Sequence, residues 1–187
     1  QPMSHEDIAA WEGFAVALAG ASAVLAGLVF VAVSINIDRI LRVRGLPGRA
    51  GESVILFLAA LCQCAFLLIP HQPATALALE LIASGVLTWV ILIAIVAPTL
   101  RRPSRQPRSW HAARVLVLHA STVPVFLAGC SLFGWPPGGL YWLVAGVLSA
   151  ITAGTANAWV LLVEVVRDER YRPQDSETSS RFAEQSA

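Results

Sequence analysis

The chain has 187 residues, 56% of them hydrophobic and only 13% charged, with a mean hydropathy of +0.66. Soluble domains carry about 25% charged residues, and a core of this size cannot hide so much apolar surface, so a water-soluble fold is excluded. High apolar content with a net charge of +1 also excludes a disordered chain.

A helix crosses the hydrocarbon core with about 20 apolar residues. Five stretches meet or approach that length, which predicts an all-α polytopic membrane protein with five transmembrane helices. The spans fall at about 8–37, 53–69, 74–97, 112–133 and 140–166. They form one transmembrane domain over 1–166, followed by a polar cytoplasmic tail over 167–187 with a short helical extension and a flexible end. The second span ends at Pro70 and the third stops at Pro98. Only Pro70-His71-Gln72-Pro73 separates the second from the third, and Gly134-Trp135-Pro136-Pro137-Gly138-Gly139 the fourth from the fifth. Both are tight proline turns that predict helical hairpins. Gln1 and Pro2 precede Met3, which reads as the natural start, and the first span lacks the basic leader and cleavage site of a signal peptide.

All basic side chains are arginine. Arg39, Arg42, Arg44 and Arg49 follow the first span; Arg101, Arg102, Arg105, Arg108 and Arg114 lie between, or at the edge of, the third and fourth; Arg167, Arg170, Arg172 and Arg181 follow the fifth. Five crossings put every arginine on one face, and positive loops stay cytoplasmic, so the N-terminus is expected outside and the C-terminus inside. Trp11, Trp135, Tyr141 and Trp142 mark the outer boundary and Trp110 the inner one. The arginine and alanine bias suggests a bacterial source with a GC-rich genome.

The first span carries Gly13, Gly20 and Gly27 at seven-residue spacing, continued by Ser34. Such a seam lets another helix approach closely in lipid. It reads first as packing within the chain, and second as a face for self-association or a pore lining.

Ionisable and amide groups inside spans invite functional readings. Glu80 lies on the order of 10 Å below the outer edge of the third span at 1.5 Å per residue, and Ser84 and Thr88 share its face. Gln63 sits at similar depth in the hairpin partner, so a Gln63–Glu80 bond is the structural alternative to a cation or proton site. Glu12, at the outer end of the first span, reads as a solvated carboxylate favourable to the helix dipole, or as one of a ring around a mouth. His119 in the fourth span, near the kink expected at Pro124, is a candidate gate or proton relay. Asn157 is the expected partner of His119 or Asn36, and Glu164 of Arg167. Together these residues predict an outer polar layer of Gln63 and Glu80 and an inner one of His119, Asn157, Ser34 and Asn36.

Other chemistry is weakly supported. Cys62 and Cys64 point about 200° apart on a helix, no histidine pair has metal-ligand spacing, and no phosphate loop or nucleophile elbow occurs. No metal, cofactor, nucleic acid or catalysis is expected. The stretch from Ala10-Trp11-Glu12-Gly13-Phe14 through Gly20-Ala21-Ser22-Ala23 to Ala26-Gly27-Leu28-Val29-Phe30-Val31-Ala32-Val33-Ser34-Ile35-Asn36, with the following Gly45-Leu46-Pro47-Gly48-Arg49 loop, resembles small integral-membrane proteins of actinobacteria. Those proteins have no assigned function, and some are automatically labelled modulators of a membrane protease. The resemblance implies a bacterial plasma-membrane location and carries no site residue. The expected function is a small oligomeric channel or transport protein for a cation or proton, embedded in the lipid bilayer as a homo-oligomer. The alternative is a non-transporting accessory subunit of a larger membrane complex or membrane protease.

Overall fold

The computed structural model describes residues 10–42, 45–100 and 108–185, with side chains at 10–42, 45–98 and 112–164. The described residues form helices joined by turns, with no strand among them. In chain order the helices are α1 (Glu12–Ile35), α2 (Ile37–Arg42), α3 (Leu46–Leu67), α4 (Ala74–Leu100), α5 (Arg108–Leu132) and α6 (Tyr141–Gln185). All except the short α2 are long and apolar enough to cross a membrane.

The two proline turns form as expected. After Leu67 the chain reverses through His71, whose φ of 57° lies in the left-handed region, and α4 starts directly after Pro73. In the second turn Ser131 Oγ donates to the Pro136 carbonyl and accepts from the Gly139 N–H at 2.7 Å, which ties the end of α5 to the start of α6. Trp11 meets Tyr141 edge-on at 5.0 Å, so the start of α1 lies beside this turn. The bundle therefore has a turn end and, opposite it, an arginine end.

Helices α3, α4, α5 and α6 close a ring in that order, and α1 lies outside it against α3. Phe57, Leu77, Leu81, Val125, Leu143 and Val147 are almost wholly buried and form the core of the ring. Glycines set the close approaches. A Cβ at Gly129 would meet the Ala78 carbonyl oxygen of α4 at 2.7 Å, and one at Gly154 the Phe57 ring of α3 at 2.8 Å. Gly85 and Gly146 serve the α4–α5 and α5–α6 contacts in the same way.

Several boundaries and one packing expectation are corrected. Helix α3 begins at Leu46, seven residues before the expected start, because Gly45 at φ 92° and Pro47 in the first turn initiate it. Pro98 lies within α4, which continues to Leu100, and α6 runs on to Gln185 instead of ending in a short extension. Asn36 interrupts the first span, donating from Nδ2 to the Ala32 carbonyl at 3.0 Å. The glycine seam of α1 is not an intramolecular seam: Gly13, Gly20 and Gly27 face open space. The buried residues of α1 are Ala15, Ser22 and Val29. They form a second seven-residue line two positions on, hence about 200° around the helix from the glycines.

Candidate functional site

The most heavily charged interior site lies where α3 and α5 face each other across the ring. Glu52, in the second turn of α3, has 5% of its side chain exposed, and Arg114 of α5 reaches it in an ion pair. Asn157 of α6 donates from Nδ2 to the other carboxylate oxygen at 3.3 Å. Both Glu52 oxygens are thus engaged, by two different helices. The pair spans the diagonal of the ring, a gap that two long side chains can bridge where the backbones are too far apart to pack.

A cavity of about 220 Å³ surrounds this pair at the arginine end. Arg49, Glu52, Arg114, Asn157 and Ser121 supply its polar lining. Leu56, Leu92, Val96, Leu118 and Val160 supply apolar wall from all four ring helices. It has room for roughly seven waters at about 30 Å³ each. Arg49 lies one turn before Glu52 and interacts electrostatically with Glu52, Arg114 and, from α6, Glu164. Ser121 turns its hydroxyl onto its own helix, donating to the Val117 and Leu118 carbonyls at 3.0 Å. On the turn side of the cavity, Phe57, Val125 and Val147 fill the ring without exposed surface.

The expected polar layers do not assemble. Glu80 is half-buried and accepts from Gln72 Nε2 at 2.6 Å, a partner in the adjacent turn, so the Gln63–Glu80 bond is corrected. Gln63 is buried in the ring with its Oε1 among the described atoms that lack a partner. Ser84 bonds the Leu81 carbonyl at 3.1 Å and Thr88 is buried, so the stripe is split between turn, helix backbone and core. His119 faces outward from the bundle, with Nδ1 2.8 Å from the Val115 carbonyl oxygen and its ring 6.5 Å from Trp89. Ser34 folds back on Phe30 at 2.8 Å, as Asn36 does on Ala32. Asn157 joins Glu52 instead of His119 or Asn36. Glu12 is exposed in the first turn of α1, as a solvated carboxylate would be. The side chains of Trp110 and Arg167 lie outside the described residues.

Of the expected pathway residues, only Asn157 belongs to the site. Glu52 was hidden by the late predicted start of α3, which put it in a polar loop. Arg114 stands at the edge of an arginine-rich segment, where the positive-inside pattern already accounts for its charge. One signal was available: Glu52 lies three residues after Arg49 and immediately before a long apolar run, a carboxylate on the face that the next turns bury. Among the described residues no group of His, Cys, Asp or Glu is placed to hold a metal ion.

No known protein family, curated protein or solved structure matches the chain.

Proposed function

We propose that the chain is a small membrane transport protein that moves protons through the Glu52–Arg114–Asn157 site, in a conformation open to the arginine end. The observation that carries this reading is the buried Glu52 carboxylate, held by Arg114 and Asn157 inside a cavity. A buried ion pair is close to neutral or costly for stability compared with apolar residues of the same volume. An ionisable group inside a membrane-spanning helix is by default a candidate functional site. The proton is favoured over a metal cation because Arg49 and Arg114 both line the cavity and repel a metal ion. A carboxylate that alternates between an ion pair and a protonated state carries a proton without that conflict. The packed core beyond the cavity acts as the closed side of an alternating path. By the distribution of arginines, the cavity opens to the cytoplasm of a bacterial plasma membrane, with the N-terminus outside.

Proton flux into proteoliposomes tests the reading. Glu52→Gln is expected to reduce flux to that of protein-free vesicles, and Glu80→Gln to leave it near wild type. Unchanged flux in folded Glu52→Gln would remove the site from transport.

A second reading is supported by α1. Gly13, Gly20 and Gly27 lie on its outward face with open space beside them, so this seam is free to receive a helix from a second copy or from a larger membrane complex. In that reading the chain is an accessory subunit and the Glu52 pair orients the bundle.

A further inference from the structure

Among the described residues, two guanidiniums, Arg49 and Arg114, and two carboxylates, Glu52 and Glu164, gather at the cavity. From α4 only the apolar Leu92 and Val96 reach the cavity, and α6 adds Asn157, so no further described charge faces Glu52. Arg114 approaches the carboxylate from α5, and about a fifth of its side chain remains accessible. On the turn side of this charged cluster the cavity continues as apolar wall from Leu56, Leu92, Leu118 and Ala153, where Ser121 turns its hydroxyl onto its own helix. A cavity that is mostly apolar with a few convergent polar groups is the usual form of a small-molecule site. This one is apolar at one end and lined by two guanidiniums at the other.

We propose that the cavity binds a small amphiphilic monocarboxylate, whose carboxylate displaces Glu52 from Arg114 while its apolar body lies along Leu56, Leu92 and Leu118. The arginine matches a carboxylate of the ligand as well as it matches that of Glu52, since its planar fork favours either. With the ligand bound, anions outnumber cations by one in the described cluster, and the displaced Glu52 stays buried beside Asn157 with Arg49 one turn away. It takes one proton from solution, its carboxylate oxygen becoming a hydroxyl, and the cluster returns to balance with one anion and one proton added. A volume of about 220 Å³ matches a headgroup and a handful of methylenes better than the full chain of a membrane lipid. The site is the cavity of the transport reading, for which it names a co-substrate, but its test is equilibrium binding and needs no flux.

Isothermal titration of the purified protein in detergent with sodium hexanoate, against micelle-only blanks, reads the site directly. The expected result is saturable binding that strengthens by up to about tenfold per unit fall in pH between pH 8 and 6, the linkage of one proton to one anion. Titrations in two buffers of different ionisation enthalpy then report uptake of about one proton per hexanoate. Arg114→Gln is expected to weaken binding by at least about tenfold, the loss of a charge-assisted pair. Glu52→Gln is expected to bind at least as tightly as wild type and to take up no proton. Val96→Phe, which narrows the cavity without touching a charge, is expected to abolish binding in a protein that elutes as wild type. Hexanol binding as well as hexanoate would show an apolar cavity only. Myristate binding with no response to hexanoate would assign the site to a lipid chain. Either result overturns the proposal, as does proton uptake that persists in Glu52→Gln or the absence of saturable heat.

Discussion

At the scale of single residues, Glu52 concentrates the electrostatic cost of the fold. Its carboxylate is nearly out of contact with solvent and depends on Arg114 and Asn157 for its bonds. Removing one member of a buried pair leaves the other charge uncompensated, which costs about 3–5 kcal/mol. Arg114 is one-fifth accessible, so Glu52→Ala is expected at the low end, about 3 kcal/mol. The double variant Glu52→Leu/Arg114→Met replaces the pair by apolar volume and is expected within about 1 kcal/mol of wild type, or above it. Reversible unfolding in mixed micelles measures both. A double variant as unstable as the single one would mean that the pair itself holds the bundle together. Glu80 differs in kind, because its partner Gln72 belongs to the neighbouring turn and no second helix depends on it.

At the scale of elements, the glycines separate into two groups with different physical roles. Gly129 and Gly154 sit where a side chain would strike a neighbouring helix. Gly129→Leu forces α5 away from the Ala78 carbonyl and Ile82, and overpacking of this sort costs about 1–3 kcal/mol. A Cβ at Gly20 meets nothing within 4 Å among the described residues, and Gly20→Leu is expected to leave unfolding unchanged. Analytical ultracentrifugation of Gly20→Leu then isolates the outward face of α1. A shift toward smaller species would support the seam as an interface, and an unchanged distribution would leave the glycines facing lipid. The same distinction explains α3, which is flanked by α1, α4 and α6 and buries residues on more than one side. Its early start at Gly45 carries Glu52 into the bundle, where a start at Ser53 would have left it in a loop.

At the scale of the whole molecule, the five long apolar helices bring the described arginines, Arg39, Arg42, Arg49 and Arg114, toward one end and the two proline turns to the other. The proposed orientation is tested by placing a single cysteine at His71, with Cys62, Cys64 and Cys130 replaced by serine. In intact cells a membrane-impermeant thiol reagent is expected to label His71→Cys, and to label Gly45→Cys only after the membrane is opened. The reverse pattern would turn the cavity outward and with it the direction of proton release. The number of the spans and the two hairpins were legible in the chain because they depend on position along a helix axis, and hydropathy reports that coordinate directly. The interior site was not legible, because it depends on how each helix is rotated about its axis. In water an apolar face must turn inward, so periodicity reveals rotation. In lipid, apolar side chains are equally well placed against acyl chains or neighbouring helices. The two seven-residue lines of α1 illustrate this: Gly13, Gly20 and Gly27 look like the packing seam, yet Ala15, Ser22 and Val29 make the contact. His119 and Asn157 lie at similar depths, yet packing turns one toward Trp89 at the bundle surface and the other toward Glu52. Hydropathy could set how deep each polar group lies, but close packing of α3 through α6 decided which of them meet.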